Sequence, residues 1–456
     1  MIRFRLDKLI PEALLTRLRS RDGLRRIFVN TFWLFVDQVL YLVFGLVVGG
    51  LVARYLGPSQ WGLLGYAASF SGLFLTLSML GLDEIIIRAL VRKNYGPEYI
   101  LGTSLVLRTV SALLSYLLMV LVIWQIESDE LIRILVLVFG GNLLLQPITV
   151  TNLWFYAHVD SKYMVWVRNI TLILVNVMKI AFILMHLSVL AFAWTATIWK
   201  ILSAAGMLYV FVNRGPAMRA WRFNPTLARE LLEHAWPLAI AGLASAIYIG
   251  IDQVLLGAMI GSDAVGIYAA SVRVSELWYF IPASIAASIF PALIQTRDQR
   301  SEQVYRQRTQ AFYDLLALLG FAIAIFVTLT ADIFIRLIFG PDYLASIPIL
   351  RLHIWSVVFI CLGAGRNRAL LATNRSSFLM VTTVIGAIIN VGLNLWLIPM
   401  YAGYGAAWAT VISYATAFYL ANLLARRQWP LFRQLSLALA LPLRLPAALR
   451  GLKDIL

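Results

Sequence analysis

Nine ionisable side chains stand inside otherwise apolar stretches of this chain: Asp37, Arg108, Lys179, Lys200, Asp252, Arg273, Glu276, Asp314 and Arg351. Facing hydrocarbon, each would cost roughly 2.5–3.5 kcal/mol near a bilayer centre, or about 20–30 kcal/mol together, several times a typical folding stability. They must therefore pair, snorkel or line water. Asp37 lies about nine residues into its stretch, roughly 14 Å at 1.5 Å per residue, and Lys179 and Lys200 fall near the middle of theirs. These three are the least able to reach water. Arg108 and Asp314 stand within a turn or two of an end, where a long stem reaches headgroups or a carboxylate stays wet. Arg273 and Glu276 are three apart on one helical face and can neutralise each other. A cavity lined by Lys179, Lys200, Arg273, Arg351 and Arg108 would suit an anionic group such as phosphate or pyrophosphate, which a guanidinium clasps through two parallel hydrogen bonds. Asp37, Asp252 and Glu276 would suit a proton or Na⁺.

The elements that position these charges are membrane spans. Of 456 residues 61% are hydrophobic and 13% charged, and the mean hydropathy of +0.82 lies beyond the range of soluble domains. Apolar runs near 28–53, 61–82, 103–124, 131–155, 165–186, 188–212, 235–260, 266–292, 311–331, 345–371, 376–398 and 402–424 have the ~20-residue length that crosses a ~30 Å hydrocarbon core as helix. No alternation of the transmembrane-barrel kind is visible. The expected fold is an all-α polytopic membrane protein of about twelve transmembrane helices.

Loop charge orients it. With the amino terminus inside, basic residues crowd the inner segments, including Arg88, Arg92, Lys162, Arg214, Arg219, Arg297, Arg306, Arg366 and Arg426. The outer turns hold only Arg54, Arg133 and Arg336 against acids such as Glu127, Asp129 and Asp342. The asymmetry alternates at every loop, so both termini are expected in the cytoplasm. Residues 1–26 are too charged for a signal peptide. Net charge +16 is scattered among loops and does not form a nucleic-acid patch.

Two internal matches divide the chain. Leu56-Gly57-Pro-Ser-Gln-Trp-Gly62 aligns with Ile260-Gly261-Ser-Asp-Ala-Val-Gly266, and Asn176–Trp194 aligns without gaps with Asn390–Trp408. Two halves of six spans follow, related by an axis along the membrane normal because six is even. The expected organisation is an amphipathic segment 1–27, a bundle 28–212, a cytoplasmic linker 213–234, a bundle 235–424 and a basic interfacial or flexible tail 425–456.

Several chemistries are not supported. There is no phosphate loop, and Gly363-Ala-Gly365 ends a spanning helix where a dinucleotide fingerprint would follow a strand. The four histidines are far apart, so no metal or other cofactor is expected, and Cys361 reads as a packing residue. The outer loops are turns, which leaves an enzyme little room to work in water.

Several pieces together resemble a family. Ala53-Arg54-Tyr55-Leu56-Gly57-Pro58 with Trp61-Gly62, Ile251-Asp252 with Val265-Gly266-Ile267-Tyr268, Pro291, and Asn390-Val-Gly-Leu-Asn394 through Pro399, Gly403-Tyr404-Gly405-Ala406-Ala407 and Ala409-Thr410 are similar to polysaccharide-biosynthesis flippases of the Wzx type. Those belong to the multidrug/oligosaccharidyl-lipid/polysaccharide exporter superfamily. The resemblance covers most of 28–424 and implies two six-helix bundles around a central cavity, alternating access, and carriage of a polyprenyl-pyrophosphate-linked oligosaccharide to the outer leaflet of a bacterial cytoplasmic membrane. It also implies an ion gradient, with membrane lipids, glycosyltransferases and a polysaccharide polymerase as partners. Arg54, Asp252 and Arg273 match places often charged in the family, whereas Lys179 and Lys200 come from depth alone. A peptidoglycan-precursor flippase, which often carries extra helices this chain lacks, and a drug/cation antiporter, which would prefer an acid-lined cavity, remain alternatives. A membrane-embedded glycosyltransferase or polymerase is the alternative from another class.

Overall fold

The computed structural model describes residues 22–92, 94–299, 301–373 and 375–444, with backbone only at 22–37, 39, 291–292 and 297–299. The side chain of Asp37 and residues 1–21 and 445–456 therefore lie outside the described residues. The chain is helical, in the order α1 (Asp22–Met79), α2 (Asp83–Arg92), α3 (Pro97–Ile126), α4 (Glu130–Leu144), α5 (Val150–Ala157), α6 (Lys162–Leu184), α7 (Val189–Arg214) and α8 (Pro225–Met259). There follow α9 (Ser262–Glu276), α10 (Phe280–Gln299), α11 (Glu302–Phe334), α12 (Ser346–His353), α13 (Ser356–Ala372), α14 (Ser376–Phe418) and α15 (Trp429–Leu439).

Among the described residues ten helical segments are long and apolar enough to cross a membrane. The first and last, Leu40–Arg92 and Ser376–Leu424, hold 53 and 49 residues, more than twice the ~20 a crossing needs. Each contains a break: α1 leaves helical geometry at Gly57 (φ 71°, ψ 171°) and α14 at Ala402 (φ 47°, ψ −131°). Split at these turns, the ten segments make twelve crossings, as the hydropathy and loop charges require.

Burial is inverted relative to a soluble helix. On α3, Val106, Val110, Leu113, Leu117 and Leu121 are 41–61% exposed, while Ser104, Arg108, Ser111 and Ser115 on the same helix are at most 9% exposed. An apolar stripe faces outward and the polar side chains bond inward, the arrangement hydrocarbon imposes on a helix. This is a multi-pass membrane protein.

Helix ends follow local rules. Asp129 caps α4 by accepting from Leu131 N at 2.7 Å and Ile132 N at 3.3 Å, and Asn224 caps α8 by accepting from Leu227 N at 3.1 Å. Pro97 and Pro225 open α3 and α8, where an amide hydrogen is not needed.

Besides the second, which bends at 80–82 between α1 and α2, three crossings are interrupted. The fourth is broken between α4 and α5 by a 3₁₀ turn at Gln146–Thr149, the eighth between α9 and α10 at 277–279, and the tenth between α12 and α13 at 354–355. Irregular backbone at such depth is tolerated only where protein or a cavity surrounds it.

The halves meet along the seams of α1 with α8 and α9. Thr76, Ser69 and Tyr66 in the second leg of α1 oppose Gly242, Gly250 and Gly257 of α8, small residues that let the helices approach. At the end of the seam beside the Gly57 turn the Arg54 guanidinium donates to the Arg336 carbonyl at 2.8 Å and to the Leu337 carbonyl, and the Tyr343 hydroxyl donates to the Ala53 carbonyl at 2.9 Å. Helix α15 packs Leu435 and Ala438 fully into the second half, with Gln310 Nε2 donating to the Gln434 carbonyl at 3.1 Å.

Candidate functional site

Beyond this seal a cavity of about 290 Å³ lies between the halves. The first half lines it with Gly45, Gly49, Ser69, Asn176 and Lys179, and the second with Gln253, Arg273 and Glu276. Lys179 enters from α6 and Arg273 from α9, so cations from opposite halves face one space. Among the described residues neither makes an ion pair, and no pair within 4 Å joins Arg273 to Glu276 three residues away. The neutralised Arg273–Glu276 contact that the spacing allows does not form: both side chains open to the cavity instead.

Arg273 reaches across the seam because of a glycine. A Cβ at Gly45 would stand 2.9 Å from its Nη2, so the guanidinium occupies space that any side chain at 45 would take.

Asp252 is also on α8, one residue before cavity-lining Gln253, but successive helical residues are rotated by about 100°. It turns into the second half and is 2% exposed. Oδ2 accepts from the Tyr268 hydroxyl at 2.7 Å and the Thr410 hydroxyl at 2.6 Å, and Oδ1 accepts from Asn394 Nδ2 at 2.6 Å. Three donors on a buried carboxylate are what makes its burial tolerable. The node keeps an open acceptor, since Asn394 Oδ1 is buried without a hydrogen-bond partner. Aligned with the first half, Asp252, Tyr268, Asn394 and Thr410 fall on Val48, Leu64, Ile180 and Ala196. The polar node exists in one half only.

The remaining charges are elsewhere. Arg54 is bound to the Arg336 and Leu337 carbonyls beside the Gly57 turn. Arg351 is exposed on α12. Arg108 is fully buried and pairs with Asp83, also donating to Thr149 Oγ1 at 2.8 Å. Lys200 donates to Gln146 Oε1 at 2.6 Å and lines a second, smaller cavity inside the first half. The five span cations expected in one cavity, and Arg54 added by the family resemblance, thus divide, and of these only Lys179 and Arg273 share the central cavity.

Sequence reasoning missed Gln253 and Gly45, quoted Asn176 only as the start of an internal repeat, and quoted Tyr268, Asn394 and Thr410 only as family residues. Asn390 and Asn394 at i, i+4 in an apolar span carried a detectable signal; Gly45 carried none.

Two six-crossing halves, a cavity between them and breaks near its lining define an all-helical, multi-pass membrane fold built around an internal site. The chain resembles the solved structure of the lipid II flippase MurJ in an inward closed conformation, with TM-score 0.69 over 94% of this chain and 98% of that one at 14% identity. An inward-facing multidrug resistance transporter of the MATE family gives TM-score 0.61 over 90% and 95% at 16% identity. The chain belongs to the polysaccharide biosynthesis protein family, whose model matches residues 27–297; the MatE model matches 237–396. Among curated relatives, a probable low-salt glycan biosynthesis flippase, Agl15, of Haloferax volcanii is 26% identical over 41% of this chain and 40% of its own length. The probable flippase AglR of the same organism is 28% identical over 45% and 44%. The teichuronic acid biosynthesis protein TuaB of Bacillus subtilis is 25% identical over 42% and 40%. The matched region spans less than half the length of each of these relatives.

Proposed function

We propose that this chain is a flippase that carries a polyprenyl-pyrophosphate-linked oligosaccharide from the cytoplasmic to the outer leaflet by alternating access, as a transporter and not an enzyme. In this reading it sits in a bacterial cytoplasmic membrane with both termini inside, and works beside glycosyltransferases and a polysaccharide polymerase. The carrying observation is that Lys179 and Arg273 face one cavity from opposite halves, with no carboxylate paired to either among the described residues. The pair is matched to a pyrophosphate, whose charge spans the seam and draws the halves together. A volume of 290 Å³ is at the lower end of small-ligand cavities, so it admits the charged head and leaves the glycan to a more open state.

Asp252 is the proposed coupling group, for H⁺ or Na⁺. Its carboxylate, the Thr410 hydroxyl and the open Asn394 Oδ1 form an oxygen-rich set of the kind Na⁺ takes, and α8 joins this node to the cavity through adjacent Gln253. A drug/cation antiporter is disfavoured by a lining that, among the described residues, holds two cations against the acid Glu276.

The test is flipping of a pyrophosphate-linked oligosaccharide in proteoliposomes, read by its accessibility to an external glycosidase. Lys179→Gln and Arg273→Gln are each expected to lower the rate at least about tenfold, as loss of one buried charged contact does, with protein yield unchanged. Full flipping by both variants would remove the cationic-cavity reading.

A further inference from the structure

The broken fourth crossing surrounds a feature that the transport reading does not use. At the 3₁₀ turn Gln146–Thr149, Pro147 interrupts the helix and two cations hold the ends. Arg108 donates to Thr149 Oγ1 at 2.8 Å, Lys200 donates to Gln146 Oε1 at 2.6 Å, and the Thr149 hydroxyl donates to the Gln146 carbonyl at 2.7 Å. Asp83 neutralises Arg108. Lys200 has a neutral amide as its partner and no carboxylate within 4 Å among the described residues.

Beside this turn lies a cavity of about 210 Å³, lined by Asn152, Arg168, Trp199, Lys200 and Ser203 among others, with no residue in common with the central one. Three of its polar atoms are buried without a hydrogen-bond partner: Trp199 Nε1, Ser203 Oγ and Asn152 Oδ1. Native proteins leave few such atoms unpaired, and here three converge on one space beside an unneutralised ammonium. Two are donors suited to anionic oxygens and the third is an acceptor suited to a hydroxyl. Arg168 also lines the wall. It lies six residues into α6, about 9 Å from that helix's start at 1.5 Å per residue, within the cytoplasmic half of the crossing.

The geometry points to a second anion site in the first half, taking a phosphate-bearing group that also carries a hydroxyl, of the glycerophosphate or sugar-phosphate kind. Lys200, Trp199 and Ser203 bind the phosphate oxygens and Asn152 accepts from the hydroxyl. A basic pocket between helices on the cytoplasmic side is a recurrent seat for lipid headgroups. The ligand has two available sources, an inner-leaflet glycerophospholipid or a phosphorylated sugar in solution or on a carried lipid. The site stands on its own geometry and does not depend on what the central cavity carries.

The experiment uses the purified full chain, native mass spectrometry and thermal unfolding, with phosphatidylglycerol, phosphatidylcholine and glycerol 3-phosphate as probes. Retention of phosphatidylglycerol over phosphatidylcholine, falling about tenfold or more in Lys200→Gln and recovering in Lys200→Arg, supports the site with a lipid source. Stabilisation by glycerol 3-phosphate without lipid preference, lost in Lys200→Gln, supports it with a soluble or substrate-borne source. Ser203→Phe fills the cavity with Lys200 in place and is expected to abolish either signal, so the test survives a poorly folding charge variant. Lys179→Gln should bind normally, which separates this site from the central one. Binding that is equal in wild type, Lys200→Gln and Ser203→Phe, or no binding by wild type, overturns the inference.

Discussion

Gly62 packs directly on the Ser262 backbone: a Cβ at Gly62 would lie 1.8 Å from the Ser262 carbonyl oxygen. The relation is reciprocal, since a Cβ at Gly266 would lie 1.9 Å from the carbonyl oxygen of Pro58. Gly266 is the repeat partner of Gly62, and Ser262 that of Pro58. Each copy of the repeated turn thus packs on the other as in a two-fold interface. Gly57 (φ 71°) and Gly261 (φ 123°) both adopt the positive φ that brings the copies together. This contact closes one end of the seam between the halves, and the proposed alternating access would require it to open.

A disulfide tests the seal. Ser59 Oγ and Ser262 Oγ are 3.0 Å apart, and Cys361 is the only cysteine. In a Cys361→Ala background, S59C with S262C is expected to cross-link under mild oxidant and to stop flipping until reduced. Cross-linked protein that flips at the full rate would refute outer opening at this turn.

Arg54 acts on the same equilibrium from another point. Arg54→Ala leaves the Arg336 and Leu337 carbonyls without their donor, at about 1–2 kcal/mol for the closed outer face. The expected result is a cross-linking yield lowered several-fold and flipping reduced but present. Unchanged cross-linking would mean that water replaces the guanidinium without loss.

Gly45 is expected to be intolerant of size. Gly45→Leu should displace the Arg273 guanidinium, fill part of the cavity and lower flipping at least about tenfold while thermal stability stays near wild type. Normal flipping by this variant would show that Arg273 need not cross the seam.

The Asp252 node should respond to ions independently of cargo. If it binds Na⁺, adding Na⁺ at constant ionic strength raises the melting temperature of wild type, and Asp252→Asn, Thr410→Val and Asn394→Leu abolish the rise. A melting temperature indifferent to Na⁺, with flipping driven by a proton gradient, would assign the node to H⁺. Indifference of flipping to both gradients would remove the coupling role.

Arg108 is expected to matter for stability. Arg108→Leu strands Asp83 and Thr149, and Asp83→Asn strands a fully buried guanidinium. Breaking a buried pair costs about 3–5 kcal/mol, reduced here because the Asp83 side chain is 41% exposed. A lower melting temperature is predicted for both, larger for Asp83→Asn.

How the charges divide explains what could be read in advance. Lys179 and Lys200 both lie near the middle of their spans, and depth alone treats them as equivalent. Their directions differ: Lys179 faces the seam and Lys200 the broken fourth crossing. Depth follows from counting residues at 1.5 Å each, but direction depends on how a helix is rotated, and packing against neighbours sets that rotation. Asp252 makes the same point, because its partners Asn394 and Thr410 are 142 and 158 positions away.

By itself the sequence determined the helical class, the twelve crossings, the expected direction of insertion and the repeated halves. Hydrocarbon sets a cost on each residue separately, so run lengths and loop charges carry that information locally. Only the tertiary structure decided that Lys179 and Arg273 share a cavity, that Arg273 and Glu276 stay apart, that Arg54 bonds the Arg336 and Leu337 carbonyls, and that Lys200 belongs to a second cavity. Those relations require two helices to have docked, and a glycine such as Gly45 matters only once a guanidinium from the other half lies over it.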